Sequence, residues 1–111
     1  MAKNLIEDGH TMDFFNESDS AIKSGDAVAV GRMVGVAHDD IPVGEAGVLH
    51  TTGVFSMAKG NAAIGQGEKV FLVDGVVTTQ VADPDGINAL AGYAWASAEA
   101  DDGELPVRLG V

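Results

Sequence analysis

The chain has 111 residues, 46% of them hydrophobic, with six basic against seventeen acidic side chains and a net charge of −11. That length makes one domain with a modest core, and the charge speaks against nucleic acid or anionic membrane as a partner, since both repel an acidic surface. Cysteine is absent, which removes disulfides and thiolate chemistry, and no run approaches the ~18 apolar residues of a membrane span.

Taken in chain order, residues 1–20 are expected to form an N-terminal arm or edge hairpin, and residues 21–111 a single β domain. Leu5, Ile6, Met12, Phe14 and Phe15 are apolar positions set among Glu7, Asp8, Asp13, Glu17 and Asp19. Asp8–Gly9 is a turn dipeptide between two short apolar runs, the pattern of a hairpin. The segment lacks the apolar stretch of a secretion signal. Two readings stand for it. One is an edge element packed on its own domain. The other is an arm in which Leu5, Ile6, Phe14 and Phe15 lie along a partner's surface, with the flanking carboxylates turned to water.

From Ile22 to Met57 the chain reads as four short strands, Ala27–Val30, Met33–Ala37, Gly47–Thr51 and Gly53–Met57, bounded by Gly, Asp or Pro. Short β-branched runs between such residues are the strand signal. Residues 58–69 form a glycine-rich connection. Val70–Val73 and Val76–Val81 pair about an Asp74–Gly75 turn, residues 82–88 form a loop, and Leu90–Ser97 and Leu105–Leu109 are the last strands. Fifteen glycines and no long amphipathic run leave little room for helix. The best candidate is a single turn at Ile87–Ala91. The fold class is therefore all-β, a small compact barrel or sandwich with an extended N-terminal arm.

The strands also carry an internal pseudo-repeat. Ile22, Gly25, Asp26 and Val28 match Ile64, Gly67, Glu68 and Val70 at an offset of 42. Gly35, Val36 and Ala37 match Gly92, Tyr93 and Ala94 at 57, and Gly44, Glu45 and Val48 match Gly103, Glu104 and Val107 at 59.

No constellation argues for catalysis, and no cofactor or metal is expected. The stretch from Gly60 to Lys69 superficially suggests a phosphate loop, but Gln66 stands where lysine is needed and a strand follows instead of a helix. His38, Asp39 and Asp40 are consecutive, so on a strand they point to opposite faces. Asp83–Pro84–Asp85–Gly86 lacks the distal carboxylate of a calcium loop and reads as a turn with proline second. Glu99, Asp101 and Asp102 sit together in a solvated acidic loop, with no apolar pocket to raise a carboxyl pKa. Alternation puts Tyr93 and Trp95 on one face, either as core anchors or as an inter-subunit contact, where Tyr and Trp are favoured. A core rich in Ala and Val points to burial between subunits in a closed cyclic assembly.

The run Ser24-Gly-Asp-x-Val28-x-Val-Gly31, then Gly35-Val-Ala37, Asp40-Ile-Pro-x-Gly44-Glu-x-Gly47 and Gly53-Val-Phe55, resembles the tailed-phage capsid cement (head decoration) proteins. Leu90-Ala-Gly-Tyr-Ala94 and Pro106-Val-Arg-Leu-Gly110 fit the same pattern. The resemblance spans nearly the whole chain and implies a β-rich, non-enzymatic virion protein, made in the host cytoplasm. It implies binding to the major capsid protein on the outside of an icosahedral head, commonly as a homotrimer. Alternative expectations are another virion subunit (tail, tube or head fibre) or a small ligand-binding β module.

Overall fold

The computed structural model describes residues 4, 6–84 and 86–110. Among them there is no helix, and the molecule measures 42 × 40 × 26 Å. Eleven strands form: β1 (Thr11–Phe15), β2 (Ala27–Val30), β3 (Met33–Ala37), β4 (Ala46–His50), β5 (Val54–Ala58), β6 (Lys69–Val73), β7 (Val76–Thr78), β8 (Ala82–Asp83), β9 (Gly86–Ile87), β10 (Ala89–Ala94) and β11 (Glu104–Leu109). Nine belong to one curled sheet ordered β1-β4-β3-β10-β11-β5, with β2 on β3, β6 on β10 and β7 on β6. β8 and β9 make a separate small hairpin.

Local chemistry explains the turns. β2 and β3 are joined by Gly31–Arg32, with Gly31 at φ 61°, the two-residue hairpin that places glycine first. β6 and β7 are joined by Asp74–Gly75, at φ 50° and 83°. Both are left-handed, as the other tight hairpin turn requires, and Asp tolerates that region better than most residues.

Four further turns share one design, each closed by a backbone bond: Asp26 N–H to Lys23 C=O (2.9 Å), Glu45 to Pro42 (3.1 Å), Glu68 to Gly65 (3.1 Å) and Asp102 to Glu99 (3.1 Å). In three of them the fourth residue's carboxylate also accepts the first residue's N–H: Asp26 from Lys23, Glu68 from Gly65 and Asp102 from Glu99. In the remaining turn Pro42 has no N–H to give. These acids are turn closures, as local Asx-type bonding predicts.

One pattern of bonds occurs twice. Ile22 bridges Ile41 as Ile64 bridges Ala98. Gly25 N–H reaches Ala37 C=O as Gly67 reaches Ala94, both at 2.8 Å. Thr51 N–H reaches His10 C=O as Leu109 reaches Gly53. Met12 lies opposite Leu49 as Phe55 lies opposite Val107. β1 thus stands to β4 as β5 stands to β11, and the ladders set Leu49, not Val48, against Val107. β3 and β10 meet in parallel at Met33 and Leu90, where Leu90 N–H donates to Arg32 C=O at 3.1 Å.

The interior divides unevenly. The larger cluster joins Val34 and Val36 to Met57, Ile64, Val70, Val77, Leu105, Val107, Leu109 and the alanines of β10. The smaller one holds only Ala37, Ile41 and Leu49 fully buried, with Met12, Phe14, Ile22, Val28 and Val30 packed around them in part. Small residues let the strands approach closely. A Cβ on Gly92 (φ 150°) would stand 1.9 Å from the Arg108 carbonyl oxygen, and one on Gly47 would stand 2.4 Å from the Ile41 side chain. Asn16, fully buried, gives its amide protons to the carbonyls of Ser20 (3.0 Å) and Ile41 (2.9 Å) and accepts the Ser18 N–H and hydroxyl.

Two expectations change here. The helical turn at Ile87–Ala91 is instead the end of β9 and the start of β10: Leu90 is claimed by Phe71 and Met33 from neighbouring strands, and tertiary pairing outweighs weak local propensity. The loop over 82–88 contains the β8–β9 hairpin.

Gly92→Ala must move the β11 backbone and take up a left-handed φ, a cost of about 3 kcal/mol or more. Asn16→Ala removes the hydrogen bonds that a fully buried side chain makes to Ser18, Ser20 and Ile41, for a loss of about 2 kcal/mol. Urea denaturation checks both, and Asn16→Ala should lower the midpoint without changing the slope.

Candidate interaction surface

β1 lies at one end of the sheet and pairs along its whole length with β4, Thr11 opposite His50 and Phe15 opposite Ala46. Strand alternation separates its two phenylalanines. Phe14 turns inward onto the Ala37, Ile41 and Leu49 cluster. Phe15 turns outward, 52% exposed, on the same face as Val48, which lies opposite Asp13. Gly9 sits in a bend at φ 81°, and the partner of Thr11–Phe15 is β4, not the residues before Asp8. Ile6 is 92% exposed. Leu5 lies outside the described residues.

Tyr93 and Trp95 occur at the other end of β10. Trp95 is 55% exposed and so is no core anchor. Tyr93 is half-buried. With Gln66, Gly67, Ala94 and Arg108 they line an open hollow of about 410 Å³. The Gln66 amide donates to the Trp95 carbonyl at 3.1 Å, and the Trp95 N–H donates to the Pro106 carbonyl at 2.8 Å. The backbone beneath the ring is therefore fixed while its face is open.

The residues weighed for chemistry fall into ordinary structural roles. Gly65 to Glu68 is one of the four closed turns leading into β6. Among the described residues no three His, Asp or Glu side chains converge on a point that would hold a metal ion. The ladder between β3 and β4 brings His38 and His50 together at 2.9 Å, Nδ1 to Nε2. This pair was invisible at a sequence separation of twelve, because only the register of those strands creates it. The His50 ring also stacks at a tilt on Phe55, with centroids 5.6 Å apart.

What this geometry offers is surface: outward aromatic and aliphatic side chains on a sheet in a strongly acidic chain. A family model described as phage cement protein matches residues 6–109, nearly the whole chain, and the chain belongs to that family. No curated protein and no solved structure matches. Membership carries a structural role in association with the phage capsid and a place in the virion.

The in/out distinction on β1 is measurable. Phe14→Ala should destabilise the fold by roughly 2 kcal/mol, less than a fully buried phenylalanine. Phe15→Ala should stay within about 0.5 kcal/mol of the parent. Thermal unfolding of the two variants side by side checks the assignment.

Proposed function

We propose that this protein binds the outer surface of an icosahedral phage head, against the major capsid protein, and stabilises the shell as a homotrimer. The observation that carries the reading is the set of large apolar side chains left exposed to solvent: Ile6, Phe15, Val48 and Trp95. Isolated exposed apolar residues are ordinary on any surface. Phe15 and Val48 share one patch on the β1–β4 face, and Trp95 joins Tyr93 in the hollow on β10, which is the disposition of two contact areas.

In this reading Ile6 and Phe15, with Leu5, form the capsid-binding side, and Tyr93 and Trp95 meet a neighbouring copy. Phe14 holds β1 to its own domain and contributes only by keeping Phe15 presented. Two separate contact areas per subunit suit a ring: one surface closes the trimer about its axis, and the other clamps the shell beneath. The net charge of −11 keeps free subunits apart until an apolar contact and a complementary shell surface outweigh the repulsion.

Image reconstruction of heads with and without the protein tests the proposal. Three-fold density on the outer shell is expected. Density on the tail, or a lone monomer at every shell site, overturns it. Phe15→Asp should weaken head binding at least tenfold with little change in melting temperature. Trp95→Ser should leave stability within about 1 kcal/mol while shifting sedimentation of the assembled form towards the monomer.

A further inference from the structure

The two halves of the sheet share their ladders but differ in how they close. In the second half β7 folds back along β6, with Phe71 opposite Thr78 and Leu72 opposite Val77, and it bridges the end of β5 through Lys59 and Val77. Val77 is 1% exposed, and Met57, Ile64 and Val70, which share its cluster, are buried. The matching bonds of the first half set Phe14, Ile22 and Val28 in the corresponding places, and all three are only half-buried. Among the described residues β2 pairs with β3 alone. An open groove of about 410 Å³ runs between β1 and β2, lined among others by Phe14, Asn16, Glu17, Ile22, Val28 and Ala29.

The backbone of β2 suits this groove. Ala37 N–H donates to Asp26 C=O at 3.0 Å, so by the antiparallel alternation Asp26, Val28 and Val30 face β3 while Ala27 and Ala29 turn their N–H and C=O groups outward. Ala29 holds the position that Phe71 holds in β6, where Thr78 lies opposite.

We propose that the groove accepts an extended strand of the capsid protein, which adds to the outer edge of β2 and takes the place that β7 takes beside β6. This rests on the capsid-binding reading above. β7 is the template for the occupant: about three residues, with an apolar side chain at the centre turned down onto Phe14, Ile22 and Val28. Backbone bonds give such an addition its affinity and the central pocket its selectivity. The charge of the groove chooses the source. Glu17 lines it, Asp19 lies two residues on, and no lining residue is basic. The occupant therefore carries Lys or Arg beside its apolar residue, which a second copy of this chain, with six basic residues against seventeen acids, supplies poorly.

Two measurements test it. The first titrates isotope-labelled full-length protein with the synthetic peptide Lys-Gly-Val-Val-Thr-Lys. Amide shifts at Ala27, Val28, Ala29 and Asn16, and slowed hydrogen exchange at Ala29, are expected. The second uses Ala29→Pro, which removes an N–H that faces away from β3, the setting in which an edge strand tolerates proline. That variant should keep its melting temperature, lose the peptide shifts and bind heads at least tenfold more weakly. A peptide that moves no β2 amide, or Ala29→Pro decorating heads as the parent does, overturns the proposal. Parent protein that takes the peptide but binds no head overturns the capsid as occupant and, with it, the capsid-binding reading. Self-association that Ala29→Pro abolishes would make a second copy the occupant and overturn the proposal equally.

Discussion

The sheet depends on the absence of a side chain at Gly92. β10 is bonded to β6 along one edge, to β11 along the other and to β3 at its start. A strand can serve three partners only by bending, and the register to β6 shifts between Leu90 and Gly92. At that bulge the carbonyl of Arg108 enters the space a Cβ would fill. The close approach brings β11 over the core, so that Leu105, Val107 and Leu109 are all buried. Bulges bend strands and increase twist, and here the bend is where the two halves of the sheet are joined.

The economy of the interior follows. Ala89, Ala91, Ala94 and Ala98 are buried in the larger cluster, and side chains this small each contribute little apolar area. The larger aliphatic residues of β3, β5, β6, β7 and β11, with Ile64, supply most of the buried apolar area, and the turns close themselves. Carboxylates at Asp26, Glu68 and Asp102 meet their own backbone, which gives part of the acidic composition a local structural task. Of the aromatic side chains Phe71 is buried, while Phe15 and Trp95 are left exposed.

Much of this was legible from residue types. Ala27–Val30 and Met33–Ala37 end where the structure ends them, because a glycine at the first position of a two-residue turn dictates both boundaries. Val70–Val73 was found for a similar reason, through Asp74–Gly75. The failures share a cause in distance. Nothing near Thr11–Phe15 announces β4 as its partner, so the inward and outward roles of Phe14 and Phe15 could not be divided. Residue type favours the core for Trp95, which the structure leaves 55% exposed, since alternation gives faces but not which face is covered. Local sequence at Ile87–Ala91 favours a helical turn, whereas pairing with β3 and β6 decides its conformation. The His38–His50 contact likewise exists only once β3 and β4 are in register.

The same distances bear on how the chain reaches this state. Of the strands adjacent in sequence, β2–β3 and β6–β7 are joined by two-residue turns, whereas β3–β4 and β10–β11 pair across longer connections; β3–β10 and β5–β11 unite segments from different thirds of the chain, such as Phe55 with Val107. Loop-closure entropy must be met before such ladders return any bonding. Folding should therefore take on the order of milliseconds to seconds, as in other sheets of non-local topology. The two tight hairpins, which need only microseconds, would wait as nuclei for β10 to bend between them. On that order of events a newly made subunit spends its slowest interval with the outer edges of both hairpins uncovered, and the net charge of −11 opposes pairing of neighbouring chains there.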